Sequence, residues 1–222
     1  MQTIAVIDFE TTGMAPSGGA RATEIAAVLV RDGRIVDRYQ NLMYTGAWVS
    51  PFIERLTGIS NRMLERAPPA AQVMREVADF TAGCGLVAHN AAFDRGFWQA
   101  EAARAEVDEL AHWSAPAERF ACTVLLSRRL YPEAPNHQLG TLARWHALPS
   151  SGRAHRALAD AEVTAHLLLR MQDDLRQRFG AELADAEPDH RMLVALQRAD
   201  RGRLGPCIAR CAGAVRQQAA PA

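Results

Sequence analysis

Two acidic residues stand at the end of an apolar run close to the N-terminus. Asp8 and Glu10 lie at the C-terminal end of the β-branched-rich segment 3–9, one inside it and one just after it, and a turn-forming Thr11-Thr12-Gly13 sequence follows. Side chains at positions i and i+2 of a strand point to the same face, so the spacing predicts two adjacent carboxylates where the strand ends. Two close anions are stable when they share a cation, and hard oxygen ligands favour Mg²⁺ or Mn²⁺ over Zn²⁺. An isolated Asp-x-Glu pair is also typical of an ordinary exposed strand end.

Two further acids lie where helices are predicted to begin. The sequence His89-Asn90-Ala91-Ala92-Phe93-Asp94 places one acid in the first turn of a helix, and Asp160 follows His155 by five positions at the start of another. A first-turn acid is favoured by the helix dipole by about 0.3–1 kcal/mol and requires no function. His155 alone would be read as a helix-entry or surface histidine. Each of these alternatives is reasonable for one residue, and together they do not account for the whole set.

Taken together, the three segments resemble the exonuclease motifs of the DnaQ-like, or DEDDh, family of 3′→5′ exonucleases. The first motif matches Asp8 to Gly13, the second matches Asn90 to Asp94, and the third matches His155 with Asp160. The resemblance spans roughly residues 3–171. Within the family, these motifs are similar to those of the proofreading epsilon subunit of bacterial DNA polymerase III and its stand-alone relatives.

The resemblance implies a fold and a mechanism. The expected fold is α/β and RNase H-like, a mixed five-stranded sheet with a three-stranded antiparallel meander plus parallel strands, flanked by helices. Two metal ions, Mg²⁺ or Mn²⁺, would stabilise the attacking and the departing oxygen at phosphorus. His155 would be the general base that takes a proton from the attacking water, and a nucleoside 5′-monophosphate would leave. The carboxylates implied to hold the metal are Asp8, Glu10, Asp94 and Asp160.

The resemblance also implies a surface that receives the terminal nucleotide. Ile59 and Phe93 would pack on bases, since an apolar or aromatic surface binds any base, although Phe93 could equally be a core residue. His89 and Asn90 would orient the helix start or contact the phosphate. Glu24, in Thr23-Glu24-Ile25-Ala26, is interpreted as structural. The implied substrate contacts are Phe9, Thr11, Thr12, Gly13, Leu56, Ile59, His89, Asn90 and Phe93.

Hydrophobic periodicity predicts the elements that position these residues. The segments 22–30 and 34–43 resemble strands, and the Asp-Gly pair in Arg31-Asp32-Gly33 predicts a hairpin between them. The clearest helix is predicted at 154–171, where apolar residues recur at i+3 and i+4. Asn90 is expected to cap a helix that runs through Arg104. The remaining predictions are helices at 70–81, 124–130 and 139–145 and short strands at 86–88 and 120–123.

Composition indicates one catalytic domain with an appendage. The 222 residues are 49% hydrophobic, enough to bury a core. We expect a DEDDh exonuclease domain at 1–175 and a basic C-terminal extension of unknown role at 176–222. From His190 onward the only acid is Asp200, set against six arginines. That end of the chain is either a solvated tail or an arm that binds nucleic acid or a DNA polymerase subunit.

The overall charge and the cysteine content limit how the protein could bind nucleic acid and in which compartment it could work. Formal net charge is zero, so nucleic acid would be bound locally rather than by a general electrostatic field. The sequence predicts no membrane span, because no apolar run approaches about 20 residues. Four scattered cysteines do not resemble a disulfide framework. We therefore expect a cytoplasmic protein. The family resemblance implies that its partner is the single-stranded 3′ end of DNA or RNA.

The sequence predicts a metal-dependent 3′→5′ exonuclease that acts on DNA in proofreading or repair. One alternative is an RNA exonuclease similar to ribonuclease T or oligoribonuclease, because these enzymes share the same five residues. Another is an enzyme that uses the same site on free nucleotides or a different phosphodiester. A non-catalytic binding module with an RNase H-like fold is the third. That module predicts the loss of a metal ligand or of the base, whereas this chain has all five.

Overall fold

The computed structural model describes residues 2–107, 120–149, 152 and 154–219. Within these residues, one five-stranded sheet has the strand order β3-β2-β1-β4-β5. The strands are β1 (Ile4–Thr11), β2 (Ala22–Arg31), β3 (Arg34–Leu42), β4 (Gly85–Ala88) and β5 (Ala121–Cys122).

Helices flank this sheet on both faces. None of the helices in the described residues is long and apolar enough to span a lipid bilayer. The α-helices of the described part of the chain are α1 (Pro51–Thr57), α2 (Asn61–Leu64), α3 (Ala70–Phe80), α4 (Ala91–Arg104), α5 (Thr123–Leu130), α6 (Leu139–Trp145), α7 (Ala157–Arg178), α8 (Gly180–Leu183), α9 (His190–Leu196) and α10 (Leu204–Ala219).

The predicted mixed sheet is confirmed. Strands β1, β2 and β3 form an antiparallel meander, and β4 and β5 run parallel to β1. The turn between β2 and β3 has positive φ at both Asp32 and Gly33, 51° and 74°. Two positive φ values are the signature of a type I′ turn, which matches the twist of a hairpin and explains why the Asp-Gly pair predicted it.

Two apolar cores lie on opposite faces of the sheet. One packs β1 residues Ile4 and Val6 against Leu168 of α7, and the other packs Ile7 against Val77 of α3 and Phe97 of α4. Side chains alternate between faces along β1, so even-numbered positions belong to the α7 face. Asp8 and Glu10 continue that even series beyond the core, which directs both carboxylates towards the start of α7.

The long helix differs at both ends from the one predicted at 154–171. It begins at Ala157, because His155 adopts a left-handed backbone with φ of 61° and cannot be part of the helix. It continues to Arg178, because Leu175 extends the buried stripe one turn beyond Met171. The helix predicted at 139–145 has the same bounds in the structure.

The predicted cap at Asn90 is only partly right. Asn90 does immediately precede α4, but its side chain makes no capping hydrogen bond. Its backbone is left-handed, with φ of 64° and ψ of 47°, whereas a capping side chain usually belongs to an extended residue. The amide group of Asn90 is therefore exposed and not used to start the helix.

Residues of the C-terminal segment pack on the sheet rather than projecting from it. Met192, Leu193 and Ile208 are buried in the same core as β1 and α7. Gln197 accepts a hydrogen bond from the Cys122 N–H (2.6 Å) and donates one to the Phe120 carbonyl (3.2 Å). Since β5 is the last strand of the sheet, this amide satisfies backbone groups on its open edge. The position 175 at which we divided the sequence lies inside α7.

Candidate active site

The carboxyl end of β1 brings acidic side chains together on one face. Asp8 is partly buried and Glu10 is buried. Antiparallel register places Glu24 of β2 directly opposite Glu10, so both point to the α7 face. A register shift between Glu10 and Thr11 ends the regular pairing at this point. The strand therefore terminates just beyond its two acids, as the sequence predicted.

Asp94, in the first turn of α4, lies beside the same end of β1. Its side chain is 2% exposed, and its Oδ1 accepts a hydrogen bond from the backbone N–H of Phe9 at 3.1 Å. Phe9 lies between Asp8 and Glu10 in the chain, so the bond fixes the third acid beside the first two. A helix N-terminus also favours a negative charge at this position.

Asp160 and His155 come from the start of α7. The His155 backbone N–H donates to Oδ2 of Asp160 at 3.0 Å, which ties the left-handed residue to the first turn of the helix. The imidazole of His155 is exposed. Possible metal-binding atoms of Glu10, His155 and Asp160 all lie within 4.8 Å of one another. Two of the predicted motifs therefore meet in space.

Burial and mutual repulsion raise the pKa values of the acids. Burial is the largest cause for Asp8, whose pKa is well above its usual range, and Asp94 and Glu10 raise it further. Burial, followed by the charge of Asp160, raises the pKa of Glu10 to about 8. Burial raises the pKa of Asp94 to about 8 against the opposing hydrogen bond from Phe9. The pKa of Asp160 is raised as well, again mainly by burial.

This concentration of negative charge fits a divalent cation. Oxygen ligands in excess of nearby positive charge are the donor set that Mg²⁺ and Mn²⁺ prefer. Within the described residues, the group of side chains that could together hold a metal ion is Glu10, His155 and Asp160. A bound cation would favour the charged forms of these carboxylates and so oppose the effects of burial and repulsion on their pKa values. The structure thus brings two of the proposed ligands, Glu10 and Asp160, together with the proposed base, while Asp8 and Asp94 lie outside this group as its electrostatic neighbours.

A cation, Arg156, and a fifth acid, Glu24, lie next to this group. Glu24 is fully buried and forms a two-pronged ion pair with the guanidinium of Arg156, at 3.0 and 2.6 Å. The positive charge of Arg156 also opposes the rise in the pKa of Glu10. From the sequence we interpreted Glu24 as structural and did not single out Arg156. The only local signal for Arg156 is its place directly after His155.

The turn after β1 is held by short-range hydrogen bonds. Thr11 donates through its hydroxyl to the Gly13 carbonyl at 2.7 Å, and the Thr12 hydroxyl accepts from the Arg21 N–H at 3.0 Å. A Cβ added at Gly13 would lie 3.3 Å from that of Ala20, which is a tight contact. The run Thr11-Thr12-Gly13 therefore forms a fixed rim beside the acids. Phe9 has its ring in the core and presents only backbone here.

The segment between β3 and α3 begins at the end of the sheet where the acids lie, because Leu42, the last residue of β3, is paired with Glu24. Leu56, on α1, is partly exposed at 37% and is available to a ligand. Ile59, proposed to pack on a base, is fully buried with Val49 and Leu64. Its side chain supports the segment from beneath and has no exposed surface for a base to contact.

The remaining predicted contacts lie around the start of α4. His89 is bonded through Nδ1 to the Thr123 hydroxyl at 2.8 Å, and burial lowers its pKa to about 4, so its ring is neutral. Asn90 is exposed. Phe93 is partly buried, with its ring centroid 4.9 Å from that of Phe97. Phe93 thus packs on the core with one side while part of its surface stays accessible.

Comparison with known proteins places this site in a family. The model of the family described as Exonuclease (RNase_T) matches residues 5–168. The 3′-5′ exonuclease DinG of Bacillus subtilis is 37% identical over 176 residues, which are 79% of this chain and 18% of DinG. The PolC-type DNA polymerase III of the same organism is 36% identical over 177 residues, 80% of this chain and 12% of the polymerase. This chain therefore spans less than a fifth of the length of either relative.

A solved structure of similar size matches as well. Exonuclease X in complex with 5′ overhanging duplex DNA is 29% identical, with a TM-score of 0.58, and the match covers 77% of this chain and 91% of that one. The matched portion of this chain is about the size of the predicted exonuclease domain. The RNase H-like arrangement is therefore common to both proteins.

Proposed function

This chain belongs to the DEDDh exonuclease family, and on that basis we propose that it is a 3′→5′ exonuclease that releases nucleoside 5′-monophosphates from DNA. The observation that carries the proposal is the meeting of Glu10, His155 and Asp160 within 4.8 Å at the end of β1. Asp8 and Asp94 lie beside them and share their electrostatic environment. The family depends on a divalent metal, and the donor set here suits one.

The four carboxylates are proposed to hold two divalent ions, Mg²⁺ or Mn²⁺. When bound, such a pair supplies charge stabilisation for the attacking and departing oxygens of the phosphodiester. Asp94 is well suited to ligation because one of its oxygens, Oδ1, is fixed by the Phe9 N–H. Glu10 lies on β1 and Asp160 on α7, and a carboxylate oxygen of one lies within 4.8 Å of a carboxylate oxygen of the other.

His155 is proposed to be the general base. Its ring is exposed while its backbone is tied to Asp160, so it can reach a water molecule in the cleft without losing its position. The ring takes a proton from that water, the water oxygen bonds to the terminal phosphorus, and the bond to the 3′-oxygen breaks. The 3′-oxygen stays with the shortened strand and the terminal nucleotide leaves as a 5′-monophosphate.

Exposed apolar side chains at this edge support a single-stranded substrate. Among large apolar residues of the described chain, Met14, Trp48 and Phe52 are the most exposed, at 83%, 67% and 64%. Met14 directly follows the Thr11-Thr12-Gly13 rim. Trp48 precedes α1 and Phe52 lies in its first turn, in the segment that follows β3 at the end of the sheet where the acids lie. Unpaired bases stack on such side chains without sequence preference, whereas bases inside a duplex are not available to them.

An RNA exonuclease remains the second candidate, since the five site residues do not distinguish the sugar. The relatives described above, a polymerase and a DNA-bound exonuclease among them, favour DNA. Discrimination depends on the space beside the 2′ position of the sugar. Matched single-stranded DNA and RNA of one sequence, compared by kcat/KM, decide between the two.

A polymerase partner and a cytoplasmic location complete the proposal. The PolC-type relative carries a matching segment within a polymerase chain, which supports an association with polymerase. The C-terminal segment offers exposed arginines, Arg198, Arg201 and Arg203 among them, as the contact surface. Co-purification of the full chain with polymerase, compared with a variant in which these arginines are alanine, tests this contact without removing the packed helices.

The exonuclease proposal is tested by following strands of one length over time. Single-stranded DNA with a free 3′ end should shorten one nucleotide at a time in Mg²⁺ or Mn²⁺, and a strand blocked at the 3′ end should persist. Cleavage of the blocked strand at internal positions, or hydrolysis of free nucleotides alone, would assign a different reaction.

A further inference from the structure

Every hydrogen-bonding position around the buried Glu24 carboxylate is filled from the α7 side of the sheet. Oε2 accepts from Arg156 Nε and from the backbone N–H of Ala157, both at 3.0 Å. Oε1 accepts from Arg156 Nη2 at 2.6 Å and from Gln40 Nε2 at 2.7 Å. A carboxylate with no exposed surface is stable only with such a full set of partners.

These bonds join β2 to the first residue of α7. Ala157 opens the helix, and the residue before it, Arg156, makes no capping bond of its own. The first N–H groups of a helix lack partners within the helix, and a negative charge at this end is favourable. Glu24, 133 residues earlier in the chain, thus supplies the cap that the local sequence does not.

The same contact determines where the proposed catalytic groups lie. Arg156 separates His155 from the helix, and Asp160 lies one turn into it. On the other strand of the pair, Glu24 is directly opposite Glu10. One carboxylate therefore links the helix start to β2, the strand that is paired with the proposed ligands on β1.

We propose that Glu24 and Arg156 are positioning residues that form a clamp between β2 and α7. The clamp sets the distance of His155 and Asp160 from Glu10. Its catalytic importance depends on the exonuclease function proposed above. Neither clamp residue is required to touch substrate. Arginine is needed because only its planar fork bonds to both oxygens of one carboxylate, and lysine keeps the charge without that geometry.

If the Glu24–Arg156 ion pair were purely structural, its removal would have a different effect. Its loss would lower stability and leave the chemistry of the folded fraction intact. The chain offers a matched control in Asp174, a buried acid that accepts from the Tyr131 hydroxyl at 2.8 Å and from Arg170 Nε at 2.9 Å. It lies 14 residues after Asp160 on α7, about 21 Å along the helix axis.

The experiment compares Glu24→Gln, Arg156→Lys and Asp174→Asn in the full chain. Mn²⁺ alone is titrated by calorimetry, and kcat and KM are measured on single-stranded DNA, with thermal melting as the record of folding. Positioning residues behind metal ligands typically contribute 10- to 100-fold to affinity or activity. We expect Glu24→Gln and Arg156→Lys to lower kcat and Mn²⁺ affinity by about that factor with KM nearly unchanged, and Asp174→Asn to change only melting.

The outcomes separate the clamp from the exonuclease function. Arg156→Lys that melts like the wild type and keeps its kcat and Mn²⁺ affinity would overturn the clamp, whatever happens to Glu24→Gln. Equal losses of kcat in Asp174→Asn would also overturn it. An inactive wild type would reject the proposed function, and the Mn²⁺ titration would still decide the clamp.

Discussion

The backbone N–H of Phe9 donates a hydrogen bond to Oδ1 of Asp94 at 3.1 Å, across 85 positions of sequence. This bond joins the strand that carries Asp8 and Glu10 to the helix that carries the third acid. An amide oxygen at position 94 can accept the same bond. Asparagine would therefore remove the negative charge of Asp94 and keep the hydrogen bond to Phe9.

Asp94→Asn should keep the fold and lose the activity. The amide retains an acceptor for Phe9, while the loss of charge removes a metal ligand and relieves repulsion on Asp8. We expect kcat to fall at least about 100-fold and the melting temperature without metal to stay or rise. Asp94→Ala, which loses both roles, is the control and should melt lower. Full activity in Asp94→Asn would remove this residue from the site.

The metal-free protein should become less stable as the pH rises from about 4 to about 8. Burial raises the pKa values of Glu10 and Asp94 to about 8, whereas in the unfolded chain they are near about 4. The folded state therefore holds more protons in this range, and its stability is lost as they dissociate. Melting temperature against pH measures this, with and without Mn²⁺.

The same groups make metal stabilisation depend on pH. Mn²⁺ should raise the melting temperature more at pH 8 than at pH 6, since protons compete with it for the carboxylates. Glu10→Gln should flatten the metal-free profile. A metal-free melting temperature that rises through this range would contradict the electrostatic description of the site.

His155→Gln should separate a general base from a metal ligand. Loss of a base lowers kcat by roughly 100- to 10 000-fold, whereas the affinity for Mn²⁺ stays within about threefold. Asp160→Asn is the comparison, because the loss of a ligand should weaken both. Should His155→Gln weaken Mn²⁺ binding as much as Asp160→Asn, the histidine is a ligand.

Trp48→Ala and Phe52→Ala should weaken strand binding and leave the chemistry intact. Both side chains are about two-thirds exposed, and stacking on one base contributes about 1–3 kcal/mol. We therefore expect KM for single-stranded DNA to rise roughly 5- to 100-fold with kcat unchanged. Trp145→Ala removes an exposed aromatic residue, 41% exposed, at the end of α6, and its KM should stay as in the wild type. Unchanged KM in all three variants would exclude the stacking surface.

Local sequence patterns predicted most elements because their causes are local. The Asp32-Gly33 turn needs two positive φ values, which this pair adopts readily, and the helix at 139–145 follows from its own apolar spacing. The first two acids were identified in the same way, since alternation along β1 places them on one face. Their agreement with the structure reflects rules that act over a few residues.

Features that depend on distant contacts were not predictable in this way. The left-handed backbone of His155 has no local marker, so the helix start was placed three residues early. Glu24 acquires its role only when Arg156 approaches from 132 positions away. Ile59 was expected at a base but is enclosed by Val49 and Leu64, which only the packing of that segment reveals.

We propose that the carboxylates at the end of β1 catalyse metal-dependent removal of nucleotides from a 3′ end. We would measure the products from 5′-labelled single-stranded DNA in Mg²⁺ or Mn²⁺, for the wild type and for Asp8→Ala. We expect a ladder that shortens stepwise, with free 5′-monophosphates, in the wild type, and an intact strand in the variant and in chelator. Equal digestion by Asp8→Ala, or release of nucleotides without metal, would exclude this site as the metal-dependent catalyst.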